Sequence, residues 1–379
     1  MDKLSLSKAA SLKDVPEHQW NRLMSPETFY MSRDWLLTQE AVPVTYLLVY
    51  SGGTLVGAMP FYRFKKSRKK LYHELFGRDC DLLFAGARTG YTTHLLRSSS
   101  LSEPEAREMC LLLVNGAREL AAEYGYGGVI FDYLTNESLR LMCHIAKPAI
   151  AYRLADTEIY TRGASLPEYL DSLPGKARRV FQREIKRFQS AGWRTGEERM
   201  SGIVRRASEL LASTQEKYGS DLGADAILEF MTAMADNVDD HSVVFTCRDD
   251  QDELRGYVLA FSWMDRLYAR VSGFDYPWLR DSFEYFNLVF YAPVEYMHRH
   301  SLVRYYLGPA YGPASEAKIR RGATLAPRWA CAFFGEVQDG TEISWHGTQE
   351  CATFRQEMSQ IAPWAIRPDD WNIFDGVAN

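Results

Sequence analysis

The sequence predicts a mixed α/β (α+β) protein made of two similar domains, each a mixed central sheet flanked by helices, with a cleft between them. Three observations lead there. Tyr46 to Tyr62 (YLLVYSGGTLVGAMPFY) and Val243 to Ser262 (VVFTCRDDQDELRGYVLAFS) each read as an apolar strand, a polar turn, a Leu-x-Gly step and a second apolar strand. The two steps, Leu55-Val56-Gly57 and Leu254-Arg255-Gly256, lie about 200 residues apart, too far for a solenoid and suited to a duplicated domain. A chain of 379 residues also exceeds the length at which single cores stop growing. Strands and helices alternate in both halves, which favours helix-covered sheets over a sandwich or a bundle. A duplication directs attention to the cleft, because small-molecule sites concentrate at domain interfaces.

Composition narrows the function classes. With 46% apolar and 25% charged residues, the chain has ordinary globular composition and little room for disorder. A formal net charge of −5 argues against a surface that coats nucleic acid as a whole, and DNA is not expected as a partner, although a local basic patch stays open. The six cysteines, Cys80, Cys110, Cys143, Cys247, Cys331 and Cys351, are scattered without a Cys-x-x-Cys pair and read as reduced and buried. No apolar run suits a signal peptide or membrane span, so a cytoplasmic location is expected.

Taken in order, residues 15–24 read as helical, and Ser32 caps a helix through Trp35 and Leu36 to Glu40. The first hairpin is followed by the basic run Phe64 to Lys70, a solvated loop or a phosphate-attracting rim. Ser102-Glu103-Pro104-Glu105 has the cap, proline and early acids of a helix start, with helical spacing through Leu120. Gly127 to Asp132 reads as a buried strand. The expected domains are 1–160, 161–335 and a packing tail 336–379, the boundary falling before the helix start Ser165-Leu166-Pro167-Glu168.

The second half opens with the strongest charge feature. Over 176–190, Lys176, Arg178, Arg179, Arg183, Lys186 and Arg187 accompany one anion, Glu184, while Ala177, Val180, Phe181, Ile185 and Phe188 form an apolar stripe. Such a helix either covers apolar neighbours with long cations or docks phosphates. Leu267 to Gly273 reads as a strand, Tyr276 to Asn287 as an aromatic loop, Leu288 to His300 as a helix and Arg304 to Gly308 as a strand. Two glycines and a proline in Tyr311 to Gly322 predict an ordered loop or turn.

This order, closing on Glu-x-Lys-x-x-Arg-Gly at 316–322, resembles the double-domain branch of the GNAT acyltransferase superfamily, and within it the Fem-type aminoacyltransferases and their FemAB-like relatives. Phe29 to Trp35 is similar to that family's Phe-x-x-x-x-x-Trp opening, Leu55 to Tyr62 to its first-domain hairpin, the basic helix to its Arg-rich helix and Ser315 to Gly322 to its lysine-containing segment. The resemblance covers about residues 28 to 330 and implies two tandem GNAT-like domains that transfer an acyl or aminoacyl group to an amine. Two departures stand out. No Arg/Gln-x-x-Gly-x-Gly/Ala loop, which ordinary relatives use for the coenzyme A pyrophosphate, precedes a helix in either half; Leu95-Leu96-Arg97-Ser98 and Pro277-Trp278-Leu279-Arg280 stand there instead. The Glu-x-His-Lys form of one branch is replaced by Glu316-Ala317-Lys318, so no histidine role carries over.

The expected donor is therefore aminoacyl-tRNA as co-substrate, with no resident cofactor and no metal, and the acceptor is a small molecule bearing an amine. Direct aminolysis needs alignment, loss of the amine proton and a stabilised oxyanion, and no serine or cysteine nucleophile. No Gly-x-Ser-x-Gly elbow or His-Glu-x-x-His motif occurs. The resemblance implies that Lys318 lies near the acceptor end of the charged tRNA, neutralising phosphate or the oxyanion, with Glu316 and Tyr268 as further catalytic candidates. Lys176, Arg179, Arg183, Arg187 and Arg321 are candidates for tRNA phosphates. Arg270, Tyr276, Glu284, Tyr285, Asp132 and Tyr311 are candidates for substrate recognition. The alternatives are a coenzyme-A-dependent N-acyltransferase with a thioester donor, and a non-enzymatic polyanion-binding module.

Overall fold

The computed structural model describes residues 3–63, 81–145, 148–219, 223–310, 312–334, 344–346 and 356, with backbone alone over 312–314 and 344–346. The basic run 64–70, Cys80, Cys351 and Tyr311 lie outside the described residues. By its contacts the chain divides into two units, one holding residues up to Asp156 and again from Ala326, the other Thr157–Leu325. Both are mixed sheets flanked by helices, as the sequence predicts.

In the first unit the strands run in the order Ser5–Ala9, Val44–Ser51, Thr54–Tyr62, Leu82–Ala85, Gly128–Leu134 and Thr324–Phe334. The first three pairings are antiparallel, the fourth parallel and the last antiparallel. The helix Glu103–Glu123 begins with a capping box between Ser102 and Glu105, the signal read from the sequence. Its buried face, Met109, Leu113, Val114, Ala117 and Leu120, repeats every three to four residues and packs on the hairpin strands. Each buried leucine there is worth roughly 1.5–3 kcal/mol relative to exposure. Ser32 caps the helix Arg33–Leu37, its Oγ accepting from the Trp35 amide at 3.2 Å, and the Phe29, Tyr30 and Trp35 rings pack together. That helix stops three residues short of the expected Glu40 because Thr38 Oγ1 and the following turn bond back to the backbone.

In the second unit the order is Arg194–Glu198, Ser242–Arg248, Leu254–Trp263, Arg266–Phe274, Arg304–Pro309, then residues 157–160 of the strand Ile150–Tyr160. Here too three antiparallel pairings precede a parallel one. On one face, Val258, Ala260, Leu267, Tyr305 and Leu307 form a core with Phe181 and Phe188 of the basic helix, Gly175–Ser190, and with Leu288, Val294 and Met297. On the other, the helix Val204–Lys217 approaches so closely at Gly273 that a Cβ there would sit 2.7 Å from the Leu210 and Leu211 backbone. Only glycine permits that contact.

Both Leu-x-Gly steps are β-bulges. The register shifts so that Val56 in the first hairpin and Arg255 in the second are left without a partner residue. The following glycines are required by packing, since a Cβ on Gly256 would meet Phe274 Cδ1 at 2.8 Å and one on Gly57 would overlap Met109.

Two expectations need correction. Tyr311 to Gly322 is not a loop: Gly312–Arg320 is a helix. Pro313 sits in its first turn, where its missing N–H is harmless, and Gly322 follows its end at φ +92, so the residues read as loop punctuation bracket a helix. The aromatic segment also becomes helical earlier than expected, with a turn at Glu284–Phe286 and a π-turn at Asn287–Tyr291 before the helix Ala292–Arg299. Glu284 starts it by accepting from the Ser282 amide at 3.1 Å and the Arg280 amide at 2.8 Å.

Candidate active site

The helix Gly312–Arg320 follows the strand Arg304–Pro309 directly and carries Lys318 back over the end of that strand. Lys318 is buried, and its Nζ donates to the carbonyls of Leu307 at 2.7 Å, Pro309 at 3.1 Å and Gly308 at 3.5 Å. Gly308 O also accepts from Thr157 Oγ1 at 2.7 Å. A strand that ends in turned-out carbonyls concentrates partial negative charge, and an ammonium with its three donors is the group that satisfies several of them. The result is a positive charge fixed in place by backbone atoms. Glu316, on the same helix, is half-exposed and pairs with Arg320 at 2.6 Å in an i,i+4 bridge.

Arg321 is 6% exposed and lies inside the unit instead of on an open rim. Its Nη2 donates to both Glu184 carboxylate oxygens, at 2.8 and 2.9 Å, and Tyr291 donates a further hydrogen bond to the same carboxylate. The Phe286 ring lies 3.4 Å from the guanidinium carbon, and Tyr169 caps the Arg321 carbonyl. Burial, together with the Glu184 charge, holds the Tyr291 phenol well above its usual range. The π-turn brings Tyr291 to this position, and the contact ties the basic helix to the Lys318 helix. Glu184 is thus the one anion of the basic helix turned inward, while Lys176, Arg179, Arg183, Lys186 and Arg187 stay exposed on the same helix and Arg178 pairs with Asp171.

The remaining candidates are distributed more widely. Tyr268 is fully buried and stacks on Tyr306 at 4.6 Å between ring centres. Tyr306 accepts from Arg266 at 2.9 Å and Arg304 at 3.0 Å, and Arg304 pairs with buried Glu158 at 3.0 Å. Arg270 is half-buried, 5.2 Å from the Phe230 ring. Tyr276 is half-buried with Lys217 Nζ 3.4 Å from its ring centre, and burial, followed by its neighbours, pushes its phenol up to about 12. Tyr285 packs on Phe274 and Phe290, and burial raises its phenol. Glu284 is 3% exposed, with Trp193, Ser282 and Arg280 all donating to it, so its carboxylate holds the turn together. Asp132 belongs to the first unit, is buried and accepts from the Tyr133 amide at 3.0 Å.

Within the second unit the structure brings together Lys318, Arg321 and the basic helix, with Tyr285 next to the Arg321 aromatic cage through Phe286. The residues that sequence reasoning missed are Tyr291, Glu158, Arg304 and Tyr306. The signal for Glu184 was present, since a single acid among six cations on an amphipathic helix marks an internal partner. Among the described residues no group of three or more His, Cys, Asp or Glu side chains is placed to hold a metal, and no helix is long and apolar enough to cross a membrane. The described cysteines are buried, with burial raising the Cys110 thiol to about 12 and those of Cys247 and Cys331 higher.

Residues 175–316 match the family model described as an acetyltransferase (GNAT) domain. Among solved structures, the chain is similar to FemX, with a TM-score of 0.59 and 11% identity over 86% of this chain and 97% of that one. A conserved protein of unknown function from Bacteroides thetaiotaomicron is similar at TM-score 0.53, with 10% identity over 84% and 98% of the two chains. L-PGS from Bacillus licheniformis is similar at TM-score 0.50, with 9% identity over 83% and 88%. No curated protein matches the chain. Residues 175–316 thus match a GNAT domain model, and the fold of the chain is similar to that of FemX, in line with the resemblance drawn from the sequence.

Proposed function

We propose that this protein is an aminoacyltransferase that takes an amino acid from aminoacyl-tRNA and forms an amide on a small amine-bearing acceptor by direct aminolysis. The observation that carries this reading is the basic helix: five exposed cations on one rigid element, with its only acid turned inward onto Arg321. A row of that kind attracts a polyanion even on a chain of net negative charge. The absence of a glycine-rich pyrophosphate loop at Leu95 to Ser98 and at Pro277 to Arg280 supports the same donor. The fold likeness to FemX is consistent with it.

In this mechanism the amine nitrogen attacks the ester carbonyl carbon. The new C–N bond forms, the C–O bond to the ribose breaks, and the amine's proton ends on the departing ribose oxygen. Lys318 contributes a fixed positive charge for the oxyanion, and no thiolate is required, in keeping with the raised thiols of the buried cysteines. Loss of one such electrostatic partner costs about 10²–10³ in kcat. Lys318→Met is expected to lower kcat by about 10² with KM little changed, measured on samples whose thermal midpoint is checked in parallel.

The test of the donor is an acylation assay on the full chain, with charged tRNA and acetyl-CoA offered separately to a panel of small amines. Transfer from charged tRNA alone supports the proposal; transfer from acetyl-CoA alone overturns it. The match to an acetyltransferase domain model favours the second reading, a coenzyme-A-dependent N-acyltransferase. In that case coenzyme A raises the melting temperature, since a ligand that binds only the folded state stabilises it.

A further inference from the structure

The strands Arg266–Phe274 and Arg304–Pro309 run parallel, with Arg266 opposite Arg304, so their C-terminal ends lie at one edge of the sheet. Lys318 sits over the end of the second strand. The end of the first leads through the turn Tyr276–Trp278 into residues 279–283 and the helical turn at Glu284. Ligands of open α/β sheets bind outside the carboxyl ends of the strands, so this loop faces the place where a donor arrives.

The loop closes on the Glu284 carboxylate, which is 3% exposed. Its Oε1 accepts from the Arg280 amide at 2.8 Å, from Ser282 Oγ at 2.8 Å and from Trp193 Nε1 at 3.1 Å, the indole N–H being shared with Ser282 Oγ at 2.9 Å. Its Oε2 accepts from the Ser282 amide at 3.1 Å. All of these donors are neutral. Among the described residues that separates Glu284 from the other buried acids of this unit, since Glu158, Glu184 and Asp249 pair with Arg304, Arg321 and Arg255. A carboxylate out of water ordinarily needs a cation; here converging N–H and O–H dipoles take its place, as they do where a backbone nest holds an anion. Asp281 at φ +50 and Phe283 at φ +67 flank Ser282, both in the left-handed region that residues with a Cβ avoid. The strained backbone between them presents the Ser282 amide and hydroxyl to the same carboxylate.

A phosphate oxygen is the same kind of acceptor as a carboxylate oxygen, so donors arranged in this way suit either anion. The chain fills the place with its own acid. We propose that Glu284 is a specificity-determining residue for the donor: as an internal anion it occupies an anion receptor at the sheet edge, and a donor carrying a pyrophosphate, such as a coenzyme A thioester, finds that receptor filled. The proposal deepens the donor assignment above and rests on it.

The test removes the occupant. Full-length wild type, Glu284→Ala and Glu284→Gln are titrated with inorganic pyrophosphate by calorimetry, and their thermal midpoints are followed as acetate is added. Glu284→Ala should bind pyrophosphate at least about tenfold tighter than wild type. Adding Trp193→Phe, which keeps an aromatic ring and deletes the indole N–H, should take back most of that gain. Glu284→Gln fills the same space and should gain nothing. Acetate should raise the midpoint of Glu284→Ala saturably and leave wild type unchanged, and a Glu284→Ala chain that folds only with acetate present supports the proposal in the same way. Equal pyrophosphate affinity in wild type and Glu284→Ala overturns it. So does an equal gain in Glu284→Gln, which is charge repulsion without an occupied receptor. So does a Glu284→Ala chain, folded or not, that responds to neither anion, which leaves Glu284 as a brace for the turn. Transfer from acetyl-CoA by the wild type sinks the donor assignment and this proposal with it, whereas a wild type that uses charged tRNA alone, with no gain in Glu284→Ala, sinks this proposal only.

Discussion

The two Leu-x-Gly bulges stand at the same place in two sheets of the same pairing pattern, yet they are stabilised by different physics. At the first, the extra residue is Val56, apolar and buried, with Met109 of the long helix packed onto Gly57. At the second it is Arg255, whose guanidinium reaches Asp249 at 2.7 Å and Asp275 at 2.9 Å beneath the Trp278 ring. A bulge dictates backbone path and the need for a following glycine, and leaves the chemistry of the extra side chain open. The second unit makes the charged choice again at Glu184 and Arg321. The two units share pairing order and bulge position, while the second places ion pairs where the first has a buried valine.

The comparison is most exposed to failure at Arg321. Arg321→Met leaves the Glu184 carboxylate buried without its cation and should destabilise the protein by about 3–5 kcal/mol in urea unfolding. Adding Glu184→Leu should recover most of that loss, because a well-packed apolar pair is often as stable as the ion pair it replaces. A single-variant loss below about 1 kcal/mol would show that the ion pair does not hold the two helices together.

Acid probes the first unit next. The folded-state pKa of His94, lowered by burial from 6.5 to about 4, lies below its unfolded value, so the unfolded chain binds the extra proton first. Stability from this residue is present above pH 6.5 and lost as pH falls toward 4, a loss on the order of 3 kcal/mol. His94→Phe should flatten that part of the pH dependence of the unfolding midpoint. An unchanged slope would mean that His94 is not buried as a neutral ring.

The bulges themselves come third. Arg255→Val takes the cation from buried Asp249, while Asp275 keeps Arg206 at 2.7 Å, and should cost about 2–3 kcal/mol, against about 1–2 kcal/mol for Val56→Ala in the apolar bulge. Calorimetry on the two variants gives the ordering directly, and the reverse order would undo the contrast. The smallest stability effect is expected on the exposed face of the basic helix. Lys176, Arg179, Arg183 and Arg187 changed together to glutamine should alter stability by no more than about 0.5 kcal/mol each. The salt dependence of tRNA binding, read by titration at several ionic strengths, should become shallower in the same variant.

Much of the fold was legible because it rests on local rules. The capping boxes at Ser102 and Ser165, the amphipathic basic helix and the apolar hairpins all carry their physics within a few residues. The misreading of 311–322 came from treating glycine and proline as loop signals, when Pro313 inside the first turn and Gly322 past the last are helix-boundary signals. The candidate site was less legible. A cation in a sequence looks alike whether it faces solvent, as Arg183 does, or closes on a carboxylate 137 residues away, as Arg321 does on Glu184.

By itself the sequence determined the mixed α/β class, the duplicated hairpins with their glycines, and the polarity of the basic helix, since all three follow from periodicity and short-range sterics. Only the tertiary structure decided which charges lie inside. Lys318 finds the carbonyls of Leu307, Gly308 and Pro309, and Arg321 finds Glu184, after helix and strand have packed. The physical reason is that removing an ion from water is costly and is offset only by a partner in the right place, and that place is set by packing across the chain.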